Sequence, residues 1–146
     1  MRCGIIGWLS LIFVVSVAPT VDAQQARGGN SRIGDELKGT RWQAETVDGV
    51  AVADPAHMTV EFAASGDQVR GQAGCNEFVG PFAARGDKVT MGVLRQTLTQ
   101  CPPEQAAAQK TLIDMLHAAY QGDVEGNVLT FLSRQGATIT FVPLQR

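Results

Sequence analysis

Thiol chemistry is the first possibility that the residue types raise. The chain holds three cysteines, Cys3, Cys75 and Cys101, and two histidines, His57 and His117. A cysteine nucleophile needs a neighbour that promotes its thiolate, and neither histidine stands at a spacing that pairs it with a cysteine. Cys75 and Cys101 form an even pair, most simply a disulfide where the domain works in an oxidising compartment. Two buried free thiols and a single reactive cysteine are the competing readings. A bond between them would close a loop of about 26 residues, worth about 3.5 kcal/mol if it acts by restricting the unfolded chain. That is a large share of the roughly 5–15 kcal/mol that holds a whole domain together.

Metal and hydrolytic chemistry find less. The histidines lack i, i+4 spacing and there is no Cys-x-x-Cys, so no zinc set is recognisable. Asp123-Val124-Glu125-Gly126-Asn127 resembles part of a calcium loop but lacks the full ligand series and the closing Glu, and is predicted to be a hairpin turn. Glu45, Glu61 and Glu77 read as solvent-side or turn positions, so no carboxylate pair stands out. No catalytic residue, cofactor site or metal site is assigned.

The densest motif is Gly71-Gln72-Ala73-Gly74-Cys75-Asn76-Glu77-Phe78-Val79-Gly80. It lacks the glycine spacing, the Lys and the following helix of a phosphate loop. Glycines this close in strand-rich sequence mark a bulge or a sharp bend where backbones approach. Gly74, Cys75, Asn76, Phe78 and Gly80 therefore form an expected structural corner. Asn76 tolerates a left-handed backbone and can tie its amide to neighbouring peptide groups. Phe78 and Phe82 are expected in the core, as is Trp42.

The elements that must position these residues begin after a targeting signal. Met1 and Arg2, an apolar run from Ile5 to Val17 and the Val21-Asp22-Ala23 stretch predict a cleavable signal over 1–23, since a membrane span needs about 20 apolar residues. Cys3 lies too near the start to carry a lipid, so a soluble periplasmic or secreted product is expected. Residues 24–36 have the composition of a flexible lead-in. The remaining 37–146 make one domain. With a formal net charge of −2 and no run of Lys or Arg, nucleic-acid binding has little support.

Within that domain, Met58, Val60 and Phe62 alternate with polar residues, as do Val89, Met91 and Val93, and Ile139 and Phe141. Ser65-Gly66-Asp67, Arg85-Gly86-Asp87 and Glu125-Gly126-Asn127 supply turns short enough for antiparallel neighbours. One helix is predicted from about Pro103 to Tyr120, with Ala108, Leu112, Met115, Leu116, Ala119 and Tyr120 on its apolar face and Gly122 as its stop. Lys110, Asp114 and His117 fall away from that face. The expected class is α+β: a curved antiparallel sheet or partial barrel with one packed helix.

Gly74-Cys75-Asn76-x-Phe78-x-Gly80 resembles the central motif of the META/HslJ domain, found in bacterial envelope proteins linked to heat shock. Leu37-x-Gly39-Thr40-x-Trp42 looks like that family's opening strand, with Asp48-Gly49 at its first turn. Thr97-x-x-x-Cys101 looks like its second cysteine motif, and Leu129-Thr130-Phe131 and Ile139-Thr140-Phe141 resemble its closing strands. The resemblance covers about Leu37 to Val142. It implies a β-rich fold with one packed helix, no established enzymatic activity and no catalytic residues to carry over. Family members are often lipoproteins, whereas the signal here ends without a lipidation cysteine. The function expected is that of a non-enzymatic exported envelope protein, an interaction module supporting stress tolerance or envelope assembly. One alternative is a small carrier holding a hydrophobic ligand in its curved sheet, and a weaker one is a thiol-dependent enzyme or sensor. The partner is thus an unknown envelope protein or a small apolar ligand.

Overall fold

Alternating inward and outward side chains turn most of this sequence into strands, and the computed structural model describes residues 33–144. The expected signal over 1–23 and the lead-in as far as Arg32 lie outside the described residues. A short helix α1 (Ile33–Leu37) is followed by β1 (Arg41–Val47), β2 (Val50–Ala51), a 3-10 turn (Pro55–His57), β3 (Met58–Phe62), β4 (Gln68–Ala73), β5 (Asn76–Arg85), β6 (Lys88–Met91) and β7 (Arg95–Gln96). The helix α2 (Pro103–Ala118) then leads into β8 (Ala119–Glu125), β9 (Val128–Ser133) and β10 (Thr138–Pro143). Tight turns make neighbours antiparallel. At Asp48-Gly49 both residues have positive φ, 50° and 79°, so the turn twists in the same sense as the two strands it joins.

The sheet order runs β10-β9-β8-β6-β5-β4-β3-β1, and β10 pairs with β1 to close it. The expected partial barrel is therefore a closed one of eight strands, with β2 extending from β1 and β7 from β5. Closure joins Trp42 to Pro143 and Val47 to Ile139. It leaves neither β1 nor β10 with an unpaired edge.

The interior is filled by side chains, as a barrel this small requires. Phe82, Phe62, Phe131 and Phe141 make a chain of edge-on ring contacts with centroids 4.8, 6.2 and 5.8 Å apart. Trp42 and Phe78 are buried in the same core, as expected. Leu112, Ile113 and Leu116 carry α2 onto it, and α2 packs against β3, β4, β6 and β9. Each fully buried side chain of this size contributes about 1.5–3 kcal/mol. The expected outward residues Lys110 and Asp114 form an ion pair on the exposed face of the helix.

Four expectations need correction. The helix ends at Ala118, and Ala119 and Tyr120 open β8 instead. Gly122 is not its stop but a strand residue under the core, where a Cβ would lie 2.9 Å from Phe131 Cε1 and 3.1 Å from Ile33 Cγ1. Val93 lies beyond the end of β6 and is 80 % exposed, so the alternation stops at Met91. Ile33–Glu36, assigned to the lead-in, belong to α1, whose Ile33 and Leu37 are buried while Ile33 N donates to Gly86 O at 3.1 Å. A single apolar residue in a polar stretch carries no periodicity, and Ile33 finds its place only once the barrel exists.

Candidate functional site

The glycine-rich segment is the hairpin from β4 into β5, pressed against the first turns of α2. Gly74 takes the left-handed backbone, φ 60°, and its N–H donates to His57 O at 2.8 Å. A Cβ on it would stand 2.1 Å from Gln105 O of the helix. Glycine alone permits both the conformation and the approach. The left-handed backbone that Asn76 would tolerate is taken two residues earlier by Gly74, and among the described residues Asp48 is the only non-glycine with positive φ.

Cys75 and Cys101 are bonded to each other, with Cα atoms 5.6 Å apart. Both sulfurs are therefore committed, and no thiol remains at the corner for a histidine to activate. His57 sets its imidazole Nδ1 against Asp54 Oδ2 at 2.8 Å instead, and His117 lies exposed near the end of α2.

Asn76 is the centre of the arrangement. It is only 3 % exposed, yet its amide is fully matched. Nδ2 donates to Thr99 O and to Gln109 Oε1, both at 3.0 Å. Oδ1 accepts from Thr97 Oγ1 and from Thr99 N, both at 2.8 Å. These use the two donors and two lone pairs that an amide side chain owns. Gln109 passes the network on through Nε2 to Gln96 Oε1 at 2.7 Å. Thr97 Oγ1 also accepts from Glu77 N at 3.0 Å, so its hydroxyl proton must point at Asn76. Along β5, Asn76, Phe78 and Gly80 are buried at period two. Gly80 lets the next segment cross, since a Cβ there would sit 2.7 Å from Val93 O.

The sequence pointed to Asn76 but not to its partners Thr97, Thr99 and Gln109, nor to Gln96 behind Gln109. The available signal was physical: a buried amide demands four partners, and polar residues near the second cysteine are the natural supply.

Beside the corner, the outer wall of β3, β4, β5 and β7 holds a groove of about 610 Å³. Arg41, Glu61, Arg70, Glu77, Arg95 and Thr97 give it its chemistry. Glu61 is clamped between Arg41, at 3.3 Å, and Arg70. Its hydrogen bond and its charge raise the Arg70 guanidinium above its ordinary value. Of the carboxylates expected on the solvent side, Glu45 and Glu77 are exposed and Glu61 is half-buried by this clamp. Three arginines against two glutamates leave the groove slightly positive. The neighbouring loop 97–101 presents Leu98 at 97 % exposure. Asp123–Asn127 forms a plain hairpin with Glu125 opposite Val128, and the described residues hold no cluster of three or more metal-ligating side chains.

The family model for the META domain matches residues 35–146 of this chain. Among solved structures, the chain is similar to a Burkholderia xenovorans protein determined by NMR, with 21 % identity and a TM-score of 0.65 over 77 % of this chain and 87 % of that one. A crystal structure of a DUF4847 family protein from Bacteroides vulgatus is similar at 14 % identity and a TM-score of 0.59, over 78 % of this chain and 99 % of the other. Both likenesses show the shared barrel fold. No curated protein matches the sequence.

Proposed function

We propose, from the premise that this chain belongs to the META domain family, that it is a non-enzymatic binding module working in an oxidising compartment outside the cytoplasm. Its role on this reading is to support stress tolerance or the assembly of envelope components by holding a partner protein. The observation that carries this reading is the loop 97–101. Its backbone is fastened by Asn76 and by the Cys75–Cys101 bond, while Leu98 stands almost fully in water. A loop already held in one conformation loses little entropy on binding, and functional residues concentrate on loops carried by rigid scaffolds. The disulfide supports an oxidising location, because such bonds persist there and are rare in reducing compartments.

Packing weighs against the carrier alternative. The barrel interior is occupied by its own phenylalanines, so an apolar ligand has no room where a carrier would hold it. The test is a photo-crosslinking residue placed at position 98 and, as a control, at exposed Val50 on the far hairpin. A discrete adduct from position 98 alone is expected. Equal labelling from both positions, or a lipid-sized mass retained by the purified protein, would overturn the reading.

A further inference from the structure

A second concavity lies away from the groove, where the barrel wall opens. Strands β6 and β8 share the single register pair Lys88↔Gln121, whereas β8 and β9 stay paired from Ala119 to Glu125. The end of α2 enters β8 in the resulting wedge, and a pocket of about 320 Å³ remains there. Val89 and Ala119, both buried in the core cluster, underlie it, and exposed Ala118 forms its apolar side. Thr90, His117, Tyr120 and Arg134 form its polar wall.

Its charge is one-sided. No carboxylate lines the pocket. Arg134 Cζ rests 4.1 Å from the centroid of the Tyr120 ring, and Lys88 Nζ lies 4.7 Å from it. Lys88 is neutralised by Asp87 at 3.0 Å, but Arg134 makes no ion pair among the described residues. The turn that carries Arg134 is fixed by Ser133, whose N donates to Ala137 O at 2.8 Å and whose Oγ accepts from Ala137 N at 3.0 Å. The backbone of the turn is thus fixed, and the guanidinium stacked on Tyr120 keeps its in-plane N–H groups available to a planar anion.

We propose that this pocket binds a small organic carboxylate with a compact apolar body. The carboxylate meets Arg134, with the Thr90 hydroxyl as a second donor, and the body lies against Ala118 and Ala119, beside the edge of the Tyr120 ring that Arg134 covers. The volume is at the small end of ligand pockets, and an apolar floor with a few convergent polar groups is the composition such pockets have. The site is independent of the loop 97–101, so it stands whether or not that loop binds a partner.

The test is an amide-resolved NMR titration of the folded protein with sodium benzoate, inorganic phosphate and benzylammonium as probes. Benzoate should give saturable shifts confined to residues around 89–90, 117–120 and 133–135, with phosphate weaker and benzylammonium silent. Arg134→Gln, at an exposed turn position, should raise the benzoate Kd by about tenfold, the loss expected for a charge-assisted bond. Ala118→Leu should abolish the shifts by filling the pocket, with the melting temperature of both variants confirming the fold. Absence of saturation by benzoate, equal binding of phosphate or benzylammonium, or an unchanged Kd in Arg134→Gln would each overturn the proposal.

Discussion

Replacing Asn76 by alanine removes four hydrogen bonds, three to the loop 97–101 and one to Gln109 of α2. Each such bond contributes about 1 kcal/mol net, which sets an upper figure near 4 kcal/mol. Thr97 and Thr99 are exposed, so water can re-satisfy part of what they lose. Gln109 is half-buried beside Cys101 and recovers less. The net loss should be about 3 kcal/mol, and for a domain of this size that lowers the melting temperature by roughly 10–15 °C. Differential scanning calorimetry of the oxidised protein measures it, with a thiol assay confirming that the disulfide is intact.

Asn76→Asp separates hydrogen bonding from packing. The carboxylate keeps the acceptor for Thr97 and Thr99 but turns its second oxygen towards Thr99 O and Gln109 Oε1, where donors stood. Burial and facing acceptors disfavour the charged form, so the folded pKa rises above the unfolded value of about 3.9. The folded state then binds the proton more tightly. Its stability is greatest below the unfolded pKa and is lost as pH rises through the folded pKa. Relative to wild type, Asn76→Asp should therefore melt higher at low pH than at neutral pH. A melting temperature for Asn76→Ala within about 3 °C of wild type, or a pH-independent deficit in Asn76→Asp, would refute the claim that this amide holds the corner.

Two further outcomes concern the same corner. Cys75→Ser and Cys101→Ser should each cost about 2–4 kcal/mol, with the double variant no worse because one bond is lost in every case; chemical denaturation of the three proteins measures it, and the unfolded wild-type protein lacking residues 1–23, and so Cys3, should titrate no thiol before reduction and two after. Gly74→Val should lower the melting temperature by several degrees, because its Cβ must displace the Gln105 carbonyl and its backbone must hold a positive φ; an unchanged melting temperature would mean that hairpin and helix can separate freely.

How much of this was legible in the sequence follows from the range over which each interaction acts. Alternation in Met58–Phe62 and Thr138–Pro143 located strands and their inward faces, because side-chain direction is fixed by the local backbone. Gly86 and Gly126 located turns for the same reason. The run 71–80 announced a crowded corner, since clustered glycines have few other uses in strands. The two cysteines of the expected mature chain left few ways to pair. What stayed hidden depends on groups distant in the chain. Closure of the barrel rests on β1 meeting β10, and nothing near Trp42 indicates that Pro143 will lie opposite it. Gly122 looked like a helix stop because its neighbours are helical in type, yet Phe131 and Ile33 require it to be small. Asn76 shows the division within one side chain. Its type and setting suggested an amide tied to nearby peptide groups, but its burial and its partners Thr97, Thr99 and Gln109 came only when β5, the loop and α2 met, because a hydrogen bond is specified by position in space and not by position in sequence.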